Sequence, residues 1–352
     1  MGIFNKLELA REIVMLKLGY PRMFSITLNM TDKCNLRCKM CNIWARKNKN
    51  ELKPDVFAEQ IKNSDILKKI KLFNFAGGEP FLVKDIDKFV DAIAKYSRPL
   101  QIRFVTNGFS TDLIKRKMES FLIKHKDMSF GIKISLDGMK NTHDNIRGVK
   151  GSFDNVVKTI DELNMLREKY NKRLAINLGF TVNKLNFNEV DNVYKLAREK
   201  NIGFLYKPVL KIKKFSNEGF IEDLFLDEKA VKELLAYNKK FIKEYKSKGF
   251  FEGLVYKHFY KLMSLYLKEP RDYIKCYALS ASCYIIPNGD VTSCLLLNDV
   301  FGNLNNKNFD DIWMDEKTVR RRKEILRGGC HCLTPCDTIP SLMVDRFPFY
   351  WT

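Results

Sequence analysis

The sequence contains no run of the roughly 18 uninterrupted apolar residues that a membrane-spanning helix requires, because Lys17, Lys257, Lys261 and Lys268 break the best candidates. A spanning helix is therefore not expected. The N-terminal segment lacks an unbroken apolar stretch of the signal-peptide kind, since Glu8, Arg11, Glu12 and Lys17 interrupt it. Position 6 is Lys rather than the Ser or Thr of a myristoylation site. These absences lead to the expectation of a cytoplasmic protein. With 18 Gly and 10 Pro in 352 residues, the chain is neither collagen-like nor low in complexity, and no internal repeat is visible. Acidic residues are in deficit, 42 against 62 basic, giving a net charge of +20. That imbalance suits an anionic partner: nucleic acid, an acidic leader peptide, phospholipid or a phosphorylated substrate. What remains, at 45% hydrophobic and 12% aromatic, is a globular chain long enough for one large and one smaller domain. Its nine cysteines are odd in number and unevenly placed, three at 34, 38 and 41 and six at 276, 283, 294, 330, 332 and 336. In a reducing compartment such a distribution points to metal ligands rather than disulfides.

Between residues 24 and 210 short β-rich runs alternate with amphipathic helical stretches. Strands are predicted at Phe24–Met30, Lys71–Ala76, Gln101–Thr106, Phe130–Leu136, Leu174–Thr181 and Phe204–Val209, with helices such as Asp85–Lys95 and Phe153–Glu168 between them. Six strand–helix units imply parallel strands joined by right-handed crossovers, and hence an α/β fold, a partial (β/α)6 TIM-like barrel. The expected division is an N-terminal helix over 1–23, the barrel over 24–210, a helical connector over 211–275 and a small C-terminal domain over 276–352. The last is too small to be stable without a metal staple.

Cys34-Asn-Leu-Arg-Cys38-Lys-Met-Cys41 follows the first strand directly, at the C-terminal end where barrel active sites are built. Three thiolates can wrap one face of a cubane iron–sulfur cluster, whereas a structural zinc or a fully ligated [4Fe–4S] cluster takes four protein ligands. One iron is then left open, as chemistry needs. The structural alternatives are a zinc site with a distant fourth ligand, or three buried reduced cysteines. This CX3CX2C arrangement resembles that of the radical S-adenosylmethionine (SAM) enzymes. The resemblance implies an open iron chelated by SAM and electron transfer that cleaves SAM to methionine and a 5′-deoxyadenosyl radical.

The resemblance continues along successive strand ends. Gly77-Gly78-Glu79-Pro80 is similar to the family's GGEP motif, whose glycines admit SAM and whose carboxylate and carbonyls receive its ammonium group; alone it would read as an ordinary glycine turn. Thr106-Asn107-Gly108 resembles the TNG element. Ser135-Leu136-Asp137-Gly138 and His143 through Arg147-Gly148 follow the fourth strand, and the resemblance implies Ser135 at the ribose and Arg147 at the methionine carboxylate, with Asn177 or Thr181 as further contacts. An Arg is otherwise a solvated charge. The residue before the third cysteine, commonly aromatic in the family, is here Met40, a flexible thioether able to pack on adenine.

Cys276 and Cys294 bracket a predicted hairpin at Asn288-Gly289 as CX12GX4C, and Cys330-His-Cys332-Leu-Thr-Pro-Cys336 follows a predicted basic helix over Glu316–Leu326. This ending resembles the SPASM or shorter twitch extension of radical SAM enzymes, which binds auxiliary clusters; the family's longer CX2CX5CX3C ending is absent, which suits the twitch-like form. Six cysteines, among them Cys283, cannot supply two four-cysteine cubanes, so one auxiliary [4Fe–4S] cluster is expected. Its ligands would be Cys276, Cys294 and Cys336 with a fourth from Cys332, Cys330 or Cys283, and His331 could replace a cysteine. A zinc knuckle is the alternative.

Residues 232–275 carry 11 Lys and Arg against 5 acids, with aromatics interleaved. The composition suits nucleic acid or lipid headgroups, but such a composition more often belongs to an amphipathic helix with a solvated lysine face and an aromatic core face. The ending Phe347-Pro-Phe-Tyr-Trp351 could fold over the active site. By resemblance the expected function is SAM-dependent hydrogen abstraction from a peptide or protein side chain, fed by an electron donor such as flavodoxin or ferredoxin. The same chemistry on a lipid, sugar or nucleic acid is the near alternative; only 23 residues precede the first strand, so no winged-helix peptide-recognition domain is expected there. A zinc-binding, non-enzymatic nucleic-acid protein is the alternative of another class. Anaerobic metal analysis separates them: about eight iron and eight sulfide per chain is the expected outcome, and zinc without sulfide would establish the rival.

Overall fold

Strict alternation of apolar and polar residues, bounded by turn-forming Gly and Asn, makes six parallel strands of the first 210 residues. A computed structural model describes residues 3–46, 50–245, 250–297, 299–329 and 331–346. After α1 (Ile3–Lys17) the chain runs β1 (Ser25–Asn29), α2 (Pro54–Asn63), β2 (Leu72–Ala76), α3 (Ile86–Tyr96), β3 (Gln101–Thr106) and α4 (Thr111–Lys124). It continues through β4 (Phe130–Ser135), α5 (Lys140–Arg147), α6 (Ser152–Lys169), β5 (Leu174–Val182), α7 (Val190–Glu199) and β6 (Gly203–Pro208). Each of the six strands pairs in parallel with the next, and each lies within one residue of its predicted bounds. The sheet does not close: β6 is an edge, which makes the fold the expected partial barrel.

One face of this sheet is apolar. Phe73, Phe75, Ile102, Phe104, Phe130, Ile132, Ile134, Leu178 and Phe180 are buried against Phe57 of α2, Phe89 of α3, Phe121 of α4 and Val193 of α7. Phe104 sits at the centre of a ring cluster, its centroid 5.1 Å from Phe75, 5.3 Å from Phe81 and 5.5 Å from Phe121. The opposite face is different in kind. It presents Asn74, Gln101, Arg103, Lys133, Ser135, Asn177, Thr181 and Lys207, polar residues that alternate with the buried ones. Glycines on neighbouring strands make room for the longer of these: a Cβ on Gly131 would lie 3.2 Å from the Arg103 stem, on Gly179 3.1 Å from the Lys133 stem, and on Gly203 1.8 Å from Asn177 Oδ1. This lumen face is thus polar, unlike the layered aliphatic core of a closed barrel.

Next come helices α8 (Glu228–Glu244) and α9 (Phe250–Lys268). Leu234, Phe241, Phe259, Tyr260 and Leu262 are buried there. The Tyr206 hydroxyl donates to Asn238 Oδ1 at 2.5 Å and Asn238 Nδ2 donates to the Tyr260 carbonyl at 2.7 Å, so Asn238 ties Tyr206 to α9 inside this aromatic cluster. The aromatic stripe is core, not a nucleic-acid platform.

The C-terminal segment contains β7 (Ser282–Ile285), β8 (Asp290–Thr292), β9 (Gly302–Asn303), α10 (Phe309–Met314), α11 (Glu316–Leu326) and α12 (Pro335–Arg346). Strand β7 pairs in parallel with β1, and β8 and β9 follow antiparallel, so all nine strands form one sheet in the order β6-β5-β4-β3-β2-β1-β7-β8-β9. Leu279, Cys283, Ile285, Val291, Phe309 and Trp313 share the barrel's own apolar core. The segment expected to need a metal staple is therefore also held by the shared sheet and core. Phe347–Trp351 lies outside the described residues. Replacing Phe104 by Ala should destabilise the fold by about 3–5 kcal/mol, read from the midpoint of a denaturant titration, because three rings lose their common partner.

Candidate active site

The loop that carries Cys34, Cys38 and Cys41 leaves β1 at the C-terminal rim and is held there from three sides. From β2, the Gly78 and Glu79 amides donate to the Thr31 and Lys33 carbonyls at 2.6 and 2.8 Å. A Cβ on Gly77, whose φ is +116°, would lie 2.6 Å from the Thr31 oxygen, and one on Gly78 2.1 Å from the Lys33 oxygen. From α5, the Arg147 and Ile146 carbonyls accept from the amides of Arg37 and Lys39 at 3.0 and 2.8 Å. Gly148, with φ +70°, would place a Cβ 2.3 Å from the Arg37 carbonyl. From beyond β6, Asn217 Nδ2 donates to the Met40 carbonyl at 3.0 Å and the Asn42 amide donates to the Phe215 carbonyl at 2.8 Å. Met40 itself packs against Val209, Ile221 and Leu224.

Two side-chain donors reach the sulfurs. Asn107 Nδ2 lies 3.7 Å from Cys34 Sγ and 2.7 Å from Asn35 Oδ1, and Arg147 Nη1 lies 3.7 Å from Cys38 Sγ. Arg147 Nη2 also pairs with Asp137 at 2.6 Å. Burial alone would lower the Arg147 pKa; the fields of Asp137 and the Cys38 sulfur raise it, so the guanidinium stays charged. Its Nε has no hydrogen-bond partner among the described residues, leaving one donor open. Asp137 is a node: its carboxylate also accepts from the Thr181 amide at 2.7 Å, and its amide donates to His143 Nδ1 at 3.0 Å. His143 is fully buried, and burial followed by the Arg147 charge pushes its pKa down to about 2, so it is a neutral acceptor.

Glu79 is 1% exposed. Its carboxylate accepts from Thr106 Oγ1 and the Asn107 amide, both at 2.8 Å, and from the Phe81 amide at 3.3 Å, which ties the glycine turn to the Thr106–Gly108 turn. Burial raises its pKa to about 7 against those hydrogen bonds. Pro80 opens the short 3-10 turn that follows. Ser135 and Asn177 are half-buried on the lumen face. Burial raises the Cys34 pKa and pushes that of Cys41 up to about 12, so iron must displace protons as it binds. Among the described residues no three His, Cys, Asp or Glu side chains are arranged to hold a single ion. The three thiols, each within the field of another and two supplied with N–H donors, fit the spread corners of a cluster instead.

A second sulfur group gathers around Tyr284 of β7 and the start of α12. Cys294 is buried, its sulfur accepting from the Leu297 amide at 3.3 Å, and it packs with Cys336 around Tyr284. Cys332 lies close enough to raise the Cys294 pKa, although burial is the larger cause, and Cys332 lines one cleft with Cys276, His331 and Asp337. Asp337 accepts from Ser282 Oγ, Tyr284 Oη and Thr334 Oγ1 at 3.1 to 3.2 Å. Four thiols, Cys276, Cys294, Cys332 and Cys336, thus share one neighbourhood, as many as a fully ligated [4Fe–4S] cluster takes. Cys283 does not join them: it points from the other face of β7 into the apolar core, where burial raises its pKa strongly. Cys330 lies outside the described residues. The Phe215 carbonyl accepts from the Asn42 amide beside Cys41, and its ring belongs to the apolar cluster that includes Cys294 and Cys336.

Asn217, Asp137 as the partner of Arg147, and the lumen lysines are missed by sequence reasoning. Only Asp137 carried a signal, as part of a quoted motif; Asn217 sits in a connector with no local pattern.

The family model described as the radical SAM superfamily matches residues 28–197, and that of the SPASM iron–sulfur cluster-binding domain matches residues 276–337. Fe-coproporphyrin III synthase of Methanosarcina barkeri is 31% identical over 50% of this chain and 41% of its own length. A cysteine-type anaerobic sulfatase-maturating enzyme of Clostridium novyi is 30% identical over 50% of this chain and 48% of its own. The chain therefore spans less than half the length of these curated relatives. In fold it is similar to anSMEcpe with bound AdoMet (TM-score 0.62, 19% identity, 86% of this chain and 83% of that one). Streptococcus suis SuiB bound to S-adenosylmethionine is also similar (TM-score 0.59, 19% identity, 89% and 71%).

The buried Glu79 makes a pH prediction. Its folded pKa of about 7 lies above the ordinary 4.5, so the folded protein holds a proton that the unfolded chain releases, and stability falls as pH rises from about 4.5 to 7. The slope is at most about 1.4 kcal/mol per pH unit. Denaturant titrations across that range should show a shallower fall in Glu79→Gln than in the parent.

Proposed function

The chain belongs to the radical SAM superfamily and ends in an iron–sulfur cluster-binding SPASM domain, and from this we propose that it abstracts hydrogen from a peptide or protein side chain. The [4Fe–4S] cluster, when bound, supplies the electron that cleaves SAM to methionine and a 5′-deoxyadenosyl radical. Cys34, Cys38 and Cys41 would hold that cluster, leaving one corner for SAM. Asn107 and Arg147 donate toward two of the sulfurs, which steadies negative charge on them. The free Nε of Arg147 is a donor for the methionine carboxylate, and Glu79, Thr106 and Ser135 border the same rim. Cys276, Cys294, Cys332 and Cys336 would hold the auxiliary cluster, a sink for the electron of the substrate radical. The polar lumen between the two sulfur groups receives the substrate.

The observation that carries this reading is the pair of sulfur groups on one rim, joined through Phe215. Two relatives bear names of peptide maturation, the sulfatase-maturating enzyme and the sporulation killing factor maturation protein of Bacillus subtilis, and these support the peptide substrate. Two others, Fe-coproporphyrin III synthase and a GTP 3′,8-cyclase, support a second reading, the same chemistry on a small anionic molecule. No described helix is long and apolar enough to cross a membrane. A cytoplasmic donor such as flavodoxin or ferredoxin, both acidic proteins, suits the +20 charge.

The reconstituted chain, given dithionite and SAM under anaerobic conditions, should release 5′-deoxyadenosine. Cys38→Ala should abolish the product, and Cys294→Ala should retain uncoupled cleavage, both read by chromatography. Undiminished cleavage in Cys38→Ala would refute the assignment.

A further inference from the structure

The acids around the lumen are already committed. Asp137 is paired with Arg147, and Glu79 is buried beneath three hydrogen-bond donors. Two lysines of the same face are not. Lys133 makes no hydrogen bond or ion pair among the described residues, and its stem lies across Gly179 of β5. Lys207 donates only a long 3.5 Å bond to the Pro208 carbonyl. The pairing register sets them on one side of the lumen: Lys133 is level with Asn177, and Lys207 lies beside Thr181, four residues along β5 toward the rim. Lys207 feels the charge of Lys133, of Asp137, and of Cys332 and Cys336, so it stands between the barrel rim and the second sulfur group. Burial and the neighbouring lysine together bring its pKa down to about 8, the mark of a cation with too little compensation.

Two like charges held on one face of the sheet, neither in an ion pair among the described residues, are costly unless an anion completes them. We propose that Lys133 and Lys207 form an oxyanion subsite that seats a carboxylate or phosphate group of the substrate between the SAM site and the auxiliary thiols. The glycine at 179 is part of this device, since a side chain there would displace the Lys133 stem. The inference rests on the radical SAM reading only for what the seated molecule is, a substrate; the anion site itself stands on the lysines.

The test uses the full chain with its iron and sulfide restored. Acetylation of each lysine is followed by peptide mass spectrometry with inorganic phosphate or malonate as the probe. Labelling of Lys133 and Lys207 should fall about threefold at a probe concentration twice its dissociation constant, while surface lysines are unaffected. Stronger protection by phosphate names a phosphoryl substrate group, and stronger protection by malonate a carboxylate. Lys133→Met and Lys207→Met should keep the parent's circular dichroism, iron content, SAM affinity and uncoupled 5′-deoxyadenosine release, and should each abolish protection of the remaining lysine. Absence of protection by either anion overturns the proposal. So does weakened SAM binding in the variants, which would give the lysines to the SAM carboxylate, or lost iron, which would give them to the clusters. A parent chain that releases no 5′-deoxyadenosine yet shows protection would defeat the radical SAM reading and leave the anion site standing.

Discussion

Two backbone segments, after β2 and after α5, meet the cysteine loop at distances that admit no side chain. The carbonyl oxygens of Thr31, Lys33 and Arg37 occupy the positions that a Cβ on Gly77, Gly78 or Gly148 would take, and two of these glycines have positive φ. Everything at the rim follows from that close approach. It lets β2 and α5 hydrogen-bond the loop from either side, which orients the thiols and brings Asn107 and Arg147 to the sulfurs. The glycines that a resemblance assigns to the approach of a cofactor have, in this chain, an immediate steric duty toward the protein itself.

The Asp137–Arg147 pair is the electrostatic counterpart of that contact. A buried ion pair contributes little net stability, since desolvation of both charges offsets their attraction. Its value here is positional: Asp137 is fixed by the Thr181 amide, its own amide is fixed by a neutral His143, and the guanidinium is therefore held with one Nη toward Cys38. A rigid donor near a thiolate stabilises negative charge without the reorganisation that water would require.

The C-terminal segment extends this logic. By pairing β7 with β1, the chain sets the second sulfur group on the sheet that bears the first, and the fixed register of the strands determines the relation between them. A separately folded domain on a linker would leave that relation free. The shared core makes the separation of the two sulfur groups a property of the sheet, and the polar lumen lies beside both.

Much of the fold was legible from period alone. The six strands lie within one residue of their predicted bounds because alternation in a half-buried strand is a local property, and the Glu316–Leu326 helix is found as read. The tripod Cys34, Cys38 and Cys41 was equally legible, because all three thiols ride on one short loop whose place after a strand is fixed by chain order. What only the tertiary structure decided involves residues far apart in sequence. Cys283 and Tyr284 are neighbours in the chain, yet the pleat sends one into the core and the other toward Asp337, and nothing local states which face of β7 meets the barrel. The same holds for Lys133 and Lys207, ordinary charges in the sequence, which become neighbours only when strand register sets both on one face of the sheet. Local periodicity encodes which residues are apolar; facing, and therefore chemistry, depends on which distant element supplies the opposite wall.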